Sequence, residues 1–158
     1  MIINILKIAF ISALPITELR GAIPIALTIY KMPVFPAYFF AVLGNIVPVI
    51  FLLLYLKPFS DFLCRWHFLN IFFKWLFKRT HQYEEKFEKY GALFLLVFVA
   101  VPLPGTGAWT GSIAAFVFGL PKRASMLSIS AGVLFAAAVV TGVVHGLTGL
   151  AAVWAGRL

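Results

Sequence analysis

The chain has 158 residues, of which 63% are hydrophobic and 11% charged, and its mean hydropathy is +1.02. A soluble domain is close to half apolar and a quarter charged, so the composition predicts a single-domain integral membrane protein. A net charge of +8 would suggest nucleic acid as the partner of a soluble protein, but here the cations cluster beside apolar runs. That pattern favours membrane lipids as partners and argues against nucleic acid.

The first apolar run, residues 2–14, is too short to cross a bilayer alone at about 1.5 Å per residue. The sequence LPITELRGAIP at 14–24 interrupts it, and a second short run follows at 23–30. Two half-length runs around a Pro/Gly break predict a helical hairpin that enters and leaves the membrane on one face. One kinked full span over 2–30 is the alternative.

Residues 36–56 form the first full-length uncharged span. Residues 57–90 then place aromatic side chains at helical spacing with cations between them, which predicts an amphipathic helix in the membrane interface. The lone cysteine and three scattered histidines predict neither a disulfide nor a metal site.

The second break, VPLPGTGAWTG at 101–111, lies between short apolar runs at 91–101 and 113–120. A second full-length span follows at 124–144, and then a short apolar tail. Breaks of this kind are tolerated at membrane depth only where protein or a water-filled cavity surrounds the backbone.

The same order of parts therefore occurs twice: short run, break, short run, proline turn, full span. The Leu-Pro pair at 14–15 aligns with that at 103–104, and Gly44 aligns with Gly132. If each break is a hairpin, each half crosses the membrane once, and the second half is inverted. The predicted fold is an all-α inverted repeat, with repeat 1 at 1–56, an interfacial linker at 57–88, repeat 2 at 89–146 and a tail at 147–158. The basic linker is expected on the cytoplasmic face of the cell membrane.

Glu18 and Arg20 are charged residues within an apolar context, which makes them functional candidates by default. Glu18 would carry a proton, and Arg20 would hold a phosphate or carboxylate. The alternative is that the two pair with each other and fix the break. Residues i and i+2 diverge on a regular helix, so direct pairing needs irregular backbone.

In the second break, glycines would let the backbone approach a ligand, and amides at the start of the next half-helix would favour an anion. The alternative is a hinge that only permits packing. Trp109 and Thr110 would line a cavity or pack, and Asn45 is expected to bond a neighbouring helix more often than a substrate. Besides Glu18 and Arg20, the candidate binding residues are Gly21, Pro24, Asn45, Pro104, Gly105, Thr106, Gly107, Trp109, Thr110 and Gly111.

The sequences ELRGAIP at 18–24 and PLPGTGAWTG at 102–111 resemble the signature of the prokaryotic small multidrug export family, and the resemblance covers nearly the whole chain. That family looks distantly similar to the DedA (VTT-domain) proteins, which have two facing re-entrant hairpins with a Glu and Arg residues. Some of them are implicated in moving polyprenyl phosphate or phospholipid. The resemblance implies that Glu18 and Arg20 serve the first hairpin and 105–111 the second, although the second break lacks an acid or Arg.

Three functions follow as expectations. The first is a proton-coupled transporter or flippase for an anionic lipid headgroup. The second is an exporter of small cationic drugs, with Glu18 exchanging protons for the cation, and the third is a membrane scaffold that transports nothing. No catalytic constellation is present, so neither an enzyme nor a cofactor is expected. A chain this small offers little protein to enclose a pathway, which makes a homodimer an option on size alone.

Overall fold

The computed structural model describes residues 2–63, 84–103 and 105–155. The helices in these ranges are, in chain order, α1 (Ile2–Ala13), α2 (Glu18–Pro24), a π-helix (Ile25–Ile29), α3 (Val34–Leu63), α4 (Glu84–Ala100), α5 (Ala108–Val117) and α6 (Lys122–Ala155). No strand occurs within these ranges, so the prediction of an all-α protein is confirmed. Most of the predicted interfacial helix, at 64–83, lies outside the described residues.

Helices α3 and α6 supply the two candidate membrane spans. The span in α3 is Val34–Pro58, and that in α6 is Lys122–Gly149. A membrane-spanning helix needs about 20 residues, so both are long enough. These spans match the predictions at 36–56 and 124–144. Helix α6 continues to Ala155, so the segment expected as a separate tail begins as part of the last helix.

The chain forms two compact units. Unit 1 consists of Met1–Ile46 and Val133–Leu158, and unit 2 is Val47–Gly132. Helices α3 and α6 each contribute one segment to each unit. The first break belongs to unit 1 and the second to unit 2, so each is described within its own unit.

In unit 1 the chain reverses direction between α1 and α2. The Nζ atom of Lys7 lies 5.9 Å from the centre of the Tyr30 ring. On one continuous helix these residues would be about 34 Å apart. The turn is held by the Thr17 hydroxyl, which donates to the carbonyl of Ile11 at 2.6 Å. This fold-back, hereafter hairpin 1 (residues 2–30), excludes a single continuous helix.

Hairpin 1 packs on α3 through a close backbone approach and two polar bonds. A Cβ added at Gly44 would overlap the carbonyl oxygen of Ala9, so only glycine fits there. The buried Ser12 hydroxyl donates to the carbonyl of Ala41 at 2.5 Å. The Asn45 amide donates to the carbonyl of Ser12 at 3.2 Å. The end of α1 is therefore fixed to the middle of α3.

In unit 2 the chain reverses between α4 and α5. A Cβ added at Gly91 would lie 2.5 Å from Cδ2 of Leu120, and the rings of Phe94 and Phe118 meet edge to face at 6.5 Å. On one continuous helix Gly91 and Leu120 would be about 44 Å apart. Residues 90–120 are therefore a second fold-back, hereafter hairpin 2.

Hairpin 2 packs on α6 through small residues. A Cβ added at Gly132 would lie 2.8 Å from the carbonyl oxygen of Leu96 and from Cβ of Val99. A Cβ added at Gly111 would lie 2.7 Å from a methyl group of Val99 within hairpin 2 and 3.6 Å from a side-chain carbon of Ile129 on α6. Gly132 thus packs on the first helix of hairpin 2, as Gly44 packs on the first helix of hairpin 1.

Candidate functional site

The break of hairpin 1 centres on Glu18, the first residue of α2. Its side chain is buried, with 7% exposed, and its φ is +46°. Its N–H donates to the carbonyl of Leu14 at 3.0 Å. A residue with a side chain costs about 1–3 kcal/mol in this left-handed conformation, so the surrounding turn must hold Glu18 there.

Arg20 is half-buried and interacts electrostatically with Glu18. The two are separated by one residue, a spacing that directs side chains apart on a regular helix. The left-handed backbone at Glu18 supplies the irregularity that the sequence analysis required for these charges to interact. The buried carboxylate thus has a cation close by, which lowers the cost of placing it in an apolar environment.

Gly21 and Pro24 shape the short helix that carries the two charges. The Gly21 N–H donates to the carbonyl of Thr17 at 2.9 Å, and a Cβ at Gly21 would lie 3.2 Å from that of Thr17. Pro24 has no N–H and ends α2, and the π-helix begins at the next residue. The Thr28 hydroxyl donates to the carbonyl of Pro24 at 2.7 Å.

Asn45 lies on α3 with 1% of its surface exposed. Its amide donates to the carbonyl of Ser12, so it joins α3 to α1. Its Oδ1 atom has no hydrogen-bond partner among the described residues. Asn45 therefore ties α3 to the end of α1, next to the turn that leads to Glu18.

The break of hairpin 2 satisfies its own backbone with hydroxyl groups. The Thr106 hydroxyl lies 2.8 Å from the carbonyl of Val101 and 3.0 Å from that of Leu103. The Gly107 N–H donates to the Thr110 hydroxyl at 2.8 Å. Gly105 takes a φ of +84°, which glycine adopts without steric cost. Pro104 lies outside the described residues.

Trp109, in the first turn of α5, lines a cavity of about 540 Å³. The other lining residues come from α3: Val47, Pro48, Phe51, Leu52, Tyr55 and Leu56. Small-molecule sites commonly have volumes of about 300–1,000 Å³ and mostly apolar walls. Trp109 was expected to line a cavity or to pack, and it is among the residues that line this cavity. Thr110 is exposed and bonds to Gly107.

The predicted residues thus form two groups. Glu18, Arg20, Gly21, Pro24 and Asn45 belong to unit 1, whereas the candidates at 105–111 belong to unit 2. Within the ranges that the structure describes, no three His, Cys, Asp or Glu residues form a group suited to a metal ion.

Sequence reasoning missed Ser12 and the α3 side of the cavity. Ser12 had a usable signal, because a small hydroxyl within an apolar half-helix is suited to close helix packing. For the cavity, the only signal was the aromatic pair Phe51 and Tyr55, which share one face of α3 and stack with their ring centres 6.2 Å apart.

A comparison with known protein families shows which family the chain belongs to. Residues 18–139 match the model of a family described as "Putative small multi-drug export protein". The chain belongs to this small multi-drug export family. The match begins at Glu18, within the first break, and includes the whole second break and about the first half of α6. No curated protein and no solved structure matches the chain, and no match supports the similarity to DedA proteins. The family description and the two apolar spans together indicate a membrane protein of a transporter kind.

Proposed function

We propose that this member of the small multi-drug export family is a proton-coupled transporter for an amphiphile with an anionic head, such as a polyprenyl phosphate or a phospholipid. The observation that carries the proposal is the buried Glu18, held in a left-handed conformation beside Arg20. A buried acid in electrostatic contact with an Arg at a helix break is costly to maintain, and such groups mark ion and substrate pathways in membranes.

Helix lengths support a re-entrant position for both hairpins. At 1.5 Å per residue, the 12 residues of α1 span about 18 Å and the 10 residues of α5 about 15 Å. The hydrocarbon core is about 30 Å thick, so a hairpin of this length reaches the midplane and returns. Lys7 and Tyr30 at the open end of hairpin 1 are residue types that lie at the headgroup level. On this proposal Glu18 lies near the midplane.

The Glu18–Arg20 arrangement suggests how a proton and an anion are coupled. Without substrate, the Glu18 carboxylate is the counter-ion of Arg20. An anionic headgroup that binds the guanidinium replaces that carboxylate, and Glu18 then takes up a proton because its compensating charge is engaged. The proton and the anion therefore bind together, and a monoanion moves without net charge.

The proposal also includes a membrane topology and partners. The two halves form an inverted repeat, each with one re-entrant hairpin and one full span. The basic linker lies on the cytoplasmic side of the cell membrane. Membrane lipids are the principal partners, and a second copy of the chain would help to enclose the pathway.

The second candidate, an exporter of small cationic drugs, is favoured by the cavity at Trp109 and by the family description. Aromatic faces attract cations, and the walls formed by Phe51 and Tyr55 would suit a flat apolar body. In that case Glu18 exchanges a proton for the cation. The position of Arg20 beside Glu18 opposes this function, because it repels a cationic cargo.

Parallel assays in proteoliposomes separate these functions. Labelled polyprenyl phosphate and an aromatic cation are tested with wild type, Glu18→Gln and Arg20→Ala, and the exposed Arg123→Gln serves as the control. We expect both site variants to lose lipid movement at least about tenfold, as for a charged hydrogen bond, and the control to keep it.

Unchanged lipid movement in both site variants would rule out the first function. Drug efflux that is lost in Glu18→Gln but kept in Arg20→Ala would establish the second. If wild type moves neither cargo, both transport functions are wrong as stated, and instability of the site variants would then favour the membrane scaffold.

A further inference from the structure

The open end of hairpin 1 carries a group that the transport proposal does not use. We call Lys7, Tyr30 and Lys31 the cationic cluster. Lys7 is exposed, and its Nζ lies 5.9 Å from the centre of the Tyr30 ring. At this distance the ring attracts the ammonium and restricts its position. The side chain of Lys7 is therefore held beside residue 30 on the facing helix.

The turn that follows the π-helix presents Lys31 outward. The Met32 N–H donates to the carbonyl of Ala26 at 2.9 Å, and the Met32 side chain is buried. Lys31 itself is exposed and has a φ of +49°. A residue with a side chain is disfavoured in this region, so the turn holds an unfavourable backbone conformation at the residue that exposes the second charge.

Neither lysine has an anionic partner among the residues that the structure describes. The acid whose side chain is described within hairpin 1, Glu18, lies at the opposite end of the hairpin. The distance along the intervening helix from residue 18 to residue 31 is about 20 Å, which is beyond direct contact. Lys31 directly follows Tyr30, whose ring contacts Lys7, so both exposed lysines lie at the same end of hairpin 1, without an anionic partner among the side chains that the structure describes.

The surface around the cluster is apolar and open to lipid. Several large apolar side chains of hairpin 1 are exposed: Ile2, Ile3, Leu6, Phe10 and Ile29. In a membrane these side chains contact lipid, and the lysines between and beside them extend towards the headgroups. A phosphate at that level would belong to a lipid whose acyl chains cover the same side chains.

We propose that Lys7 and Lys31 bind the phosphate of an anionic phospholipid, with the Tyr30 ring positioning Lys7. The two ammonium groups donate to the phosphate oxygens, and the acyl chains lie along the exposed face of α1. A phospholipid with a net negative charge is preferred over a zwitterionic one, because a choline group would repel both lysines. This site does not depend on the transport function proposed for Glu18 and Arg20.

The test measures lipid enrichment beside the cluster. A single cysteine is placed at Ile29 in a Cys64→Ser background and labelled with a fluorophore. The protein is reconstituted with phosphatidylglycerol or phosphatidylcholine that carries a nitroxide quencher near the headgroup end of one chain. We expect phosphatidylglycerol to quench about fivefold more than phosphatidylcholine at low salt.

Variants identify the residues responsible. Lys7→Gln with Lys31→Gln should reduce the quenching ratio to about one, whereas Lys122→Gln with Arg123→Gln should leave it unchanged. Tyr30→Phe keeps the ring and should keep the ratio, and Tyr30→Leu should lower it. An unchanged ratio in the first pair, or an equal loss in the second pair, would overturn the proposal.

Inorganic phosphate distinguishes a lipid phosphate from a free one. At constant ionic strength, millimolar phosphate should leave the ratio unchanged, because dissolved phosphate lacks the acyl chains that hold the lipid in place. If phosphate abolishes the preference, the cluster binds phosphate from solution, and the lipid assignment is wrong.

Discussion

The two hairpins share a packing scheme and differ in chemistry. Each packs its first helix on a long helix at a mid-helix glycine, Gly44 for hairpin 1 and Gly132 for hairpin 2. Hairpin 1 adds polar bonds through Ser12 and carries the buried charge of Glu18. Hairpin 2 closes its break with its own hydroxyl groups. Glycine packing thus occurs in both hairpins, whereas among the described side chains the buried charge belongs to hairpin 1.

The largest effect is expected for Gly44→Ala, because the new Cβ would overlap a backbone carbonyl that cannot move without displacing α1. We expect a loss of about 3 kcal/mol or more in the free energy of unfolding. The measurement is denaturant unfolding in detergent micelles. Gly142→Ala is the matched control, since a Cβ there meets nothing within 4 Å and should change stability by less than about 1 kcal/mol. Equal effects at the two positions would refute the packing described for hairpin 1.

The equivalent change where α6 meets hairpin 2 is Gly132→Ala. It should lower the free energy of unfolding by less, about 2 kcal/mol. Its Cβ would lie 2.8 Å from the Leu96 carbonyl and from a Val99 side-chain atom, a less severe overlap than at Gly44. Gly91→Ala is the control, because the obstructing atom is the end of the flexible Leu120 side chain. Thermal unfolding of wild type, Gly132→Ala and Gly91→Ala checks this order of stability. A larger loss for Gly91→Ala than for Gly132→Ala would contradict it.

The hydrogen bond from the Ser12 hydroxyl to the Ala41 carbonyl should contribute about 1 kcal/mol to the free energy of unfolding. Ser12→Ala removes the donor to the Ala41 carbonyl and leaves the shape of α1 almost unchanged. Thr148→Ala, which removes an exposed hydroxyl bond within α6, should cost less than half of that. Paired unfolding curves measure both. No difference between them would mean that Ser12 does not help to fix hairpin 1.

The last prediction compares two substitutions at Glu18, which distinguish the effect of its backbone conformation on stability from the effect of its charge. Glu18→Gly and Glu18→Ala both remove the interaction with Arg20, but only glycine relieves the left-handed conformation. The glycine variant should therefore be the more stable by about 1 kcal/mol. Both variants should lack transport activity. If the alanine variant is the more stable, the backbone at residue 18 is not left-handed in the folded protein.

Much of the fold could be predicted because its signals are local. Hydropathy located the two spans, and Pro and Gly located both breaks. The alignment paired Gly44 with Gly132 but did not predict that each packs on the first helix of a hairpin. Direct pairing of Glu18 and Arg20 at their spacing required irregular backbone. The bond from Ser12 to Ala41 could not be predicted, because these residues are 29 positions apart and meet only after hairpin 1 packs on α3.

The cavity at Trp109 escaped prediction for a similar reason. Its α3 walls look like ordinary lipid-facing residues until the first turn of α5 is placed beside them. Sequence analysis could therefore select the tryptophan but not its neighbours. The same limit applies to the cationic cluster, since Lys7 and Tyr30 come together only through the reversal of the chain.

The central claim is that each break is the tip of a re-entrant hairpin whose two ends lie on one face of the membrane. Single cysteines at Ile3, Lys31, Tyr90 and Lys122, in a Cys64→Ser background, are labelled with an impermeant maleimide in right-side-out and inverted vesicles. The account predicts that Ile3 and Lys31 react from one face, and that Tyr90 and Lys122 react from the other. Labelling of Ile3 and Lys31 from opposite faces would contradict it.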